Sequence, residues 1–428
     1  MTTGIGNKIK YYRMKANMTQ EELASGVVSV SYLSKIEHDN AEANSEAIQQ
    51  LCKKLNINPV RTHDEKIYQL SDQWHKELLL GDIEKAHHTY QLLKDDMEKV
   101  IDADLYWLTD LHRLYYYVIS KQYEKATSVY RILKQYHYKF NEVEKYYWYK
   151  FSGCYFFDVE LSFLKAYGQL RRAEEVISLQ LKNYNEEIHD LYFRIAKLST
   201  KVYFTYHTMV YVKKTLEFYR NTYQLRRCAE CQMIKGVAYT RMNEMEKAKN
   251  SFQLAFSILD RYKDDAVLAS CNRELGELYN RNNETDKAIL YFKKSYQVAK
   301  GNEYVEQFRA MLCLVKIYVD QKQLEQAKQW YEEATSFAEM IEHVLPINYV
   351  YELKAYYYLI YGFDQTFEVL MEKTVLPFLK QKEQYKQYSR YMLLMGDYYY
   401  ENRKYKLSAS CYKQAHESIN HIKMKDNL

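Results

Sequence analysis

The sequence predicts an all-α protein: a small N-terminal bundle built on a helix-turn-helix, followed by a right-handed α-solenoid of about nine helical hairpins. Three observations predict it. Among 428 residues there are only 3 Pro and 11 Gly, so few positions break a helix. Met18–Glu37 (MTQEELASGVVSVSYLSKIE) has the cap, turn and core spacing of two short helices joined tightly. After Pro59 one short phrase ending in Ala recurs at intervals of about 40 residues.

Thr19–Ala24 reads as the first of the two short helices, Ser25–Val28 as the turn and Ser29–Glu37 as the second helix. Thr19 and Glu22 have capping-box spacing, in which the hydroxyl accepts an orphan N–H and the carboxylate accepts from the cap's own N–H. Leu23, Val28, Leu33 and Ile36 are spaced to bury one face, while Val30, Ser31, Ser34 and Lys35 stay outside. The outward face of such a second helix lies in the DNA major groove. That makes Gln20, Ser29, Val30, Ser31, Tyr32, Ser34 and Lys35 the candidate DNA contacts.

Ile5, Ile9 and Tyr12 supply a helix in front, and Ser45–Leu55 a closing helix with Ile48, Leu51 and Leu55 as its core stripe. With these, residues 5–58 resemble an Xre/Cro-type repressor domain. One departure stands out. That family has one more residue between the positions of Ala24 and Val28, with Gly just before the Val; here Gly26 comes early and Val27 takes the Gly place. The shorter turn and the SVSYLSKIE wording are similar to the peptide-sensing regulators of Gram-positive bacteria, the Rap/NprR/PlcR/PrgX group. The expected division is a DNA-binding domain at 1–58, a linker at 59–65 and a sensor and oligomerisation array at 66–428.

A net charge of +5 is too small to mark a nucleic-acid binder by itself. The charges of the first domain are segregated: Lys8, Lys10, Arg13, Lys15 and Lys35 precede or flank the acidic Glu37, Asp39, Glu42 and Glu46. Phosphate contacts supply much of DNA affinity, so one copy with so few cations is expected to bind weakly. A homodimer or tetramer is the expected operator-binding form. Seven scattered cysteines without a secretory signal are expected to be free thiols in a reducing cytoplasm. No apolar run approaches the ~20 residues of a membrane span, so no membrane partner is expected.

Beyond the linker, alternate helices open on Ile83-Glu84-Lys85-Ala86, Tyr123-Glu124-Lys125-Ala126, Met245-Glu246-Lys247-Ala248, Thr285-Asp286-Lys287-Ala288 and Leu324-Glu325-Gln326-Ala327. Four residues past each Ala is an aromatic: Tyr90, Tyr130, Phe252, Phe292 and Tyr331. A Tyr precedes the last three Ala by nine residues (Tyr239, Tyr279, Tyr318). Small, then aromatic one turn later, is how a helical hairpin packs, with the ring expected to fill the gap to the next hairpin. The pattern resembles the tetratricopeptide repeat, with Gly236, Gly276 and Ala255 at its small positions. Weaker units lie around Ala173, Thr215–Tyr219, Phe367–Met371 and Ser408–Tyr412. The 47 Tyr suit aromatic contacts with a polar tip, although an AT-rich genome gives the same enrichment.

No dedicated active site is expected, and neither a cofactor nor a metal. Cys228-Ala-Glu-Cys231 is a lone pair inside a helix, where a structural zinc needs a second pair or two histidines. His87 and His88 point about 100° apart on a helix. No phosphate loop, HExxH, GxSxG or kinase phrase occurs. What remains is the groove. The positions that face inward in such repeats give Met233, Val237 and Arg241 from one hairpin, Asn272, Arg273, Glu277 and Asn280 from the next, and Arg309, Leu312 and Lys316 from a third. Apolar pockets mixed with Arg, Lys and Asn suit a short extended peptide, carboxamides pairing with its backbone and cations with its carboxylates; ordinary charges on a solenoid surface are the bland alternative.

The resemblance covers nearly the whole chain and is most like the NprR branch. It implies a cytoplasmic quorum-sensing transcription regulator that binds double-stranded DNA through its first domain and a short signalling peptide in the groove. A Rap-like adaptor or phosphatase acting on a phosphorelay response regulator is the alternative, and a phage-type repressor whose array only dimerises is a third.

Overall fold

Thr19 caps the second helix as its spacing predicts: its Oγ1 accepts the Glu22 N–H at 3.1 Å while Glu22 Oε2 accepts the Thr19 N–H at 2.6 Å. The computed structural model describes residues 5–38, 44–59, 64–180, 185–301 and 303–426, side chains 7, 178–180 and 423–426 excepted. Asp39, Glu42 and positions 60–63 of the expected linker lie outside the described residues. Among the described residues every regular element is a helix.

The head comprises α1 (Ile5–Lys15), α2 (Gln20–Ala24), α3 (Val30–Glu37) and α4 (Ser45–Lys54). Ile9, Leu23, Leu33, Ile36 and Leu51 are fully buried at its centre, and Val28 and Leu55 pack partly buried against them. The short turn works because Gly26 takes the left-handed conformation, φ +71°, which glycine adopts without a Cβ clash. Val27 is then free to pack on the core.

Two compact units divide the chain at Phe151/Ser152, inside α10 (Glu142–Asp158), rather than at Pro59. The first holds the head together with α5 (Glu65–Leu80), α6 (Ile83–Asp95), α7 (Met97–Asp102), α8 (Tyr106–Ile119) and α9 (Tyr123–Tyr136). Its array core is aromatic: Trp74 stacks on Tyr90 at 5.2 Å, and Tyr115 on Phe151 at 4.8 Å. The head sits against α7 and α9 through polar contacts. Lys8 pairs with Asp102 at 2.6 Å, Lys15 pairs with Glu98, and Lys10 donates to the Tyr136 hydroxyl at 2.8 Å while lying 4.5 Å from that ring's centre. His38 stacks on the same ring at 5.8 Å. Architecture changes at Pro59, but packing does not.

The second unit continues as α11 (Phe163–Gln180), α12 (Asn185–Val202), α13 (Thr205–Asn221), α14 (Leu225–Arg241), α15 (Met245–Leu259), α16 (Asp265–Arg281), α17 (Thr285–Ala299), α18 (Tyr304–Asp320) and α19 (Leu324–Met340). Then come α20 (Ile347–Tyr361), α21 (Gln365–Leu370), a π-helical turn at Met371–Val375, α22 (Leu376–Gln381), α23 (Tyr385–Glu401) and α24 (Tyr405–Asp426). With the first unit this makes nine hairpins among the described residues. The first helices α14, α16 and α18 stop by one device. Asn243, Asn283 and Lys322 adopt φ near +60°, and the next N–H returns to the carbonyl of Tyr239, Tyr279 or Tyr318 at 2.9 Å, a Schellman closure.

The small positions of the repeat are all interior: Ala86, Ala126, Ala173, Thr215, Ala248, Ala288, Ala327 and Ser408 are buried. The aromatic that follows meets the next hairpin at three positions, as expected: Tyr90 lies 5.3 Å from Tyr116, Tyr130 stacks on Trp148 at 5.3 Å and Tyr331 lies 6.3 Å from Tyr357. At the other two the ring also closes on its own hairpin. Phe252 lies across Gly236 and Phe292 across Gly276 of their own hairpins, so close that a Cβ there would meet ring carbons at 2.8 and 2.5 Å. Tyr412 does the same to Gly396.

Candidate DNA-reading helix and peptide groove

On the head, α3 is positioned by a buried ion pair that the sequence reading missed. Glu37, fully buried, accepts from Arg13 Nε at 2.5 Å and Nη2 at 3.0 Å, and from Gln20 Nε2 at 2.8 Å; Arg13 Nη1 also donates to the Met18 carbonyl at 2.8 Å. One carboxylate thus ties α1 and α2 to α3. Lys54 completes the frame by donating to the Leu23 carbonyl at the end of α2 at 3.2 Å.

These contacts sort the candidate DNA residues. Val30, Ser31 and Lys35 are exposed on α3. Ser29 is exposed but serves as the N-cap, accepting the Tyr32 N–H at 3.2 Å. Ser34 is half-buried. Two candidates face elsewhere. The Gln20 carboxamide is held by Glu37. Tyr32 packs on the head core, and its hydroxyl accepts the Asn44 N–H at 3.4 Å. Of the five early cations, four are engaged: Lys8, Lys10 and Lys15 on the array and Arg13 on Glu37. Among the described residues Lys35 alone of them stays exposed without an ion pair.

In the second unit each first helix packs directly on the next, α12 on α14, α14 on α16, α16 on α18 and α18 on α20, so first helices form the inner wall. The wall is laced by charge pairs running from one hairpin to another. Arg273 Nε donates to Glu306 Oε2 at 3.1 Å and its Nη1 to Glu274 at 2.7 Å; Arg309 also reaches Glu306. Lys316 lies 3.5 Å from Glu277, and Arg390 donates to Glu352 at 2.8 Å and to the Tyr356 hydroxyl. Burial alone raises the Glu306 carboxyl, but Arg309 and Arg273 together outweigh it and hold it down at about 2. The two ends of the unit meet as well: Lys382 pairs with Glu160 at 3.0 Å, and Gln384 Nε2 donates to the Leu161 carbonyl at 2.9 Å.

The structure therefore brings Arg273, Glu277, Arg309 and Lys316 together on the inner wall. Arg241 lies 4.2 Å from the Tyr203 ring centre. Met233 and Val237 are half-buried against the core around Phe252. Asn280 is half-buried, and its carboxamide makes no hydrogen bond among the described residues. Asn272 is buried and donates to its own Leu268 carbonyl at 2.9 Å. Leu312 is a correction: it is buried among Phe308, Val315 and their neighbours, because its position on α18 points between hairpins. The reading also missed Glu274, Glu306 and Arg390, of which Glu306 and Arg390 take a partner from another hairpin, Arg273 and Glu352. Cys228 and Cys231 are buried free thiols, with the Cys231 thiol pushed up to about 12 by burial. No helix among the described residues is long and apolar enough to cross a membrane.

Family patterns match at both ends of this architecture, a helix-turn-helix over residues 9–61 and tetratricopeptide repeats over 229–258 and 309–339. A transcriptional activator of Geobacillus stearothermophilus, NprA, is 26% identical over 405 residues, which is 94% of this chain and 99% of that one. Response regulator aspartate phosphatase A of Bacillus subtilis is 26% identical over 57% of this chain and 65% of its own length. Among solved structures, NprR in complex with its cognate peptide NprX superposes with a TM-score of 0.69 at 18% identity, covering 84% of this chain and all of that one.

Proposed function

We infer that the chain is a member of the Rap/NprR group of helix-turn-helix and tetratricopeptide-like proteins, a cytoplasmic transcription regulator that reads duplex DNA with α3 and takes a short signalling peptide against the inner wall of its second unit. One observation carries most weight: similarity to a transcriptional activator runs through head and array in the same order over nearly the full length. The exposed face of α3, with Val30, Ser31 and Lys35, is shaped to enter a major groove. Arg273, Glu277, Asn280, Arg309 and Lys316 offer a peptide fixed charges and an uncommitted carboxamide. With three head lysines held by the array, one head has few cations for phosphates. Operator affinity then requires two heads on two half-sites, hence a dimer or tetramer.

The test selects duplexes from genomic DNA on the full-length protein, then measures their affinity with and without a peptide encoded by a small open reading frame beside the gene. Ser31→Ala with Lys35→Ala should weaken DNA binding and leave peptide binding intact. Failure to enrich any duplex would refute the DNA-reading half.

A second reading, action on a response regulator, is favoured by the likeness to the aspartate phosphatase. Loss of label from a phosphorylated receiver domain, with no duplex bound at any peptide concentration, would establish it instead.

A further inference from the structure

On the side of the second unit away from its inner wall, the second helices of two successive hairpins lie next to each other. The Tyr296 ring of α17 meets Trp330 of α19 at 5.3 Å, and its hydroxyl donates to Glu333 at 2.6 Å. Their exposed stripes carry opposite charge. That of α17 holds Lys287, Lys293 and Lys294, with the exposed Leu290 among them, and that of α19 holds Glu325, Glu332, Glu333 and Glu339. Only part of this charge is neutralised within the chain. Lys287 pairs with Glu284 and Glu325 with Lys328, but Lys293, Lys294 and Glu339 have no ion pair among the described residues, and Glu332 accepts only from the Tyr361 hydroxyl at 3.4 Å. The spacing matches as well as the sign. Laid antiparallel, one register sets Lys287 against Glu339, Lys293 against Glu333 and Lys294 against Glu332, with Gln297 opposite Gln329. From Lys287 to Lys294 and from Glu332 to Glu339 the helix rises by the same step, about 10.5 Å.

We propose that the face formed by α17 and α19 is a self-association surface, and that its partner is a second copy of this chain related by a two-fold axis. The two helices run in the same direction within one chain, so a two-fold axis perpendicular to them turns each antiparallel to the other's copy. α17 then meets α19 of the partner subunit while α19 meets the partner's α17, and one register satisfies the match twice. Lys293 and Glu332 follow the repeat Ala288 and Ala327 at the same interval, so they stand level and the axis passes between them. An unrelated protein would have to carry both stripes in this register; the chain already does. The helices are 15 and 17 residues long, about 22–26 Å, so the strip they cover falls short of the ~800 Å² per partner of a stable interface. Exposed pairs are individually weak and salt screens them. The association is therefore salt-sensitive and exchanging, and an operator holding two heads side by side reinforces it. It supplies the contact for the two-headed form inferred above and rests on that reading for its use, but its test involves neither DNA nor peptide.

The experiment is sedimentation velocity on the full-length protein from about 1 to 100 μM, at low and at high salt. The wild type should dimerise at low salt and dissociate as salt rises. Lys287→Glu with Lys294→Glu puts Glu against Glu at four places across the axis and should weaken dimerisation about 100-fold. Glu332→Lys with Glu339→Lys should do the same by setting Lys against Lys. Mixed together, the two variants are complementary at all of these places, so the mixture should form heterodimers while each alone stays monomeric. Lys294→Gln and Glu332→Gln add no repulsion and guard against a reversal that disturbs folding; each should weaken dimerisation about 3-fold. Reversed variants that melt like the wild type and dimerise as it does overturn the proposal, as do glutamine variants that change nothing or a mixture of folded variants that forms no heterodimer. A wild type that stays monomeric at low salt overturns it too and leaves the DNA-reading inference standing, because selection of duplexes tests that separately.

Discussion

Glu37→Gln should unfold the head and spare the second unit. The substitution removes one member of a buried ion pair while leaving Arg13, 12% exposed at its side chain, with a neutral partner. Breaking such a pair from one side costs about 3–5 kcal/mol, because the remaining charge is stranded. The Met18 carbonyl still accepts from Arg13, which favours the lower figure. At ~0.05–0.15 kcal/mol per residue, a head of this size has only about 3–8 kcal/mol in total. Among its contacts with α7, the exposed Lys15–Glu98 pair contributes at most about 1 kcal/mol, and the buried Lys8–Asp102 pair anchors α1 alone and leaves α2 and α3 unsupported. Hydrogen exchange read by mass spectrometry on the full-length protein separates the outcomes. Amides of α1–α4 should lose most of their protection, those of α14–α19 none, and duplex binding should disappear while peptide binding persists. Arg13→Met with Glu37→Met should recover part of the loss, because no charge is then left buried. Protection in α1–α4 that falls by less than about 1 kcal/mol would refute the reasoning.

Three further outcomes follow from particular contacts. Gly276→Ala places a Cβ 2.5 Å from Phe292; overpacking of this kind costs about 1–3 kcal/mol, and Phe292→Leu in the same chain should return part of it in thermal melts. Glu306, held at about 2, stabilises the fold fully above its ordinary 4.5. That contribution is lost as pH falls from about 5 toward 2, so Glu306→Gln should flatten the decline of melting temperature over this range. Asp102→Asn leaves Lys8 without its carboxylate and should loosen α1 from α7. Freed lysines become available to phosphates, so the salt dependence of duplex binding should steepen by about 0.9 for each one that engages.

The fold was readable because its signals are local. Thr19–Glu22, the Ala of each recurring phrase and the aromatic one turn later lie within single helices, and helical spacing alone assigns them. What Phe252 and Phe292 close against within their own hairpins was not readable. Gly236 and Phe252 belong to two helices, and the register between them depends on where Asn243 closes the turn. The inner wall was half legible. Repeat position picked out Arg273, Arg309 and Lys316, yet misplaced Leu312, because a one-residue change of helix phase turns a side chain from groove to core. Glu306 lies 33 residues from the Arg273 it accepts from, and no local spacing encodes such a meeting. The head's cations misled for a related reason. Their clustering suggested phosphate contacts, and nothing within the head's own sequence reveals that Asp102, Glu98 and Tyr136 claim them.

That last point ties the two halves of the first unit energetically. Lys8, Lys10 and Lys15 can serve the array or a phosphate backbone, but not both at once. The exposed contact on the array side is worth little singly, whereas Lys8, 4% exposed at its side chain against Asp102 at 14%, is the one whose release strands a buried charge. Docking is therefore held chiefly by a single pair and trimmed by weak ones. Shifting such an equilibrium from 1:99 to 99:1 takes about 5.5 kcal/mol of differential binding, which a handful of phosphate contacts from two heads on one operator supplies at low salt and withholds at high salt. Salt dependence measured on wild type and Asp102→Asn together thus distinguishes a head that leaves the array to bind from one that binds while docked: parallel slopes mean the lysines stay where they are, and diverging slopes mean they move.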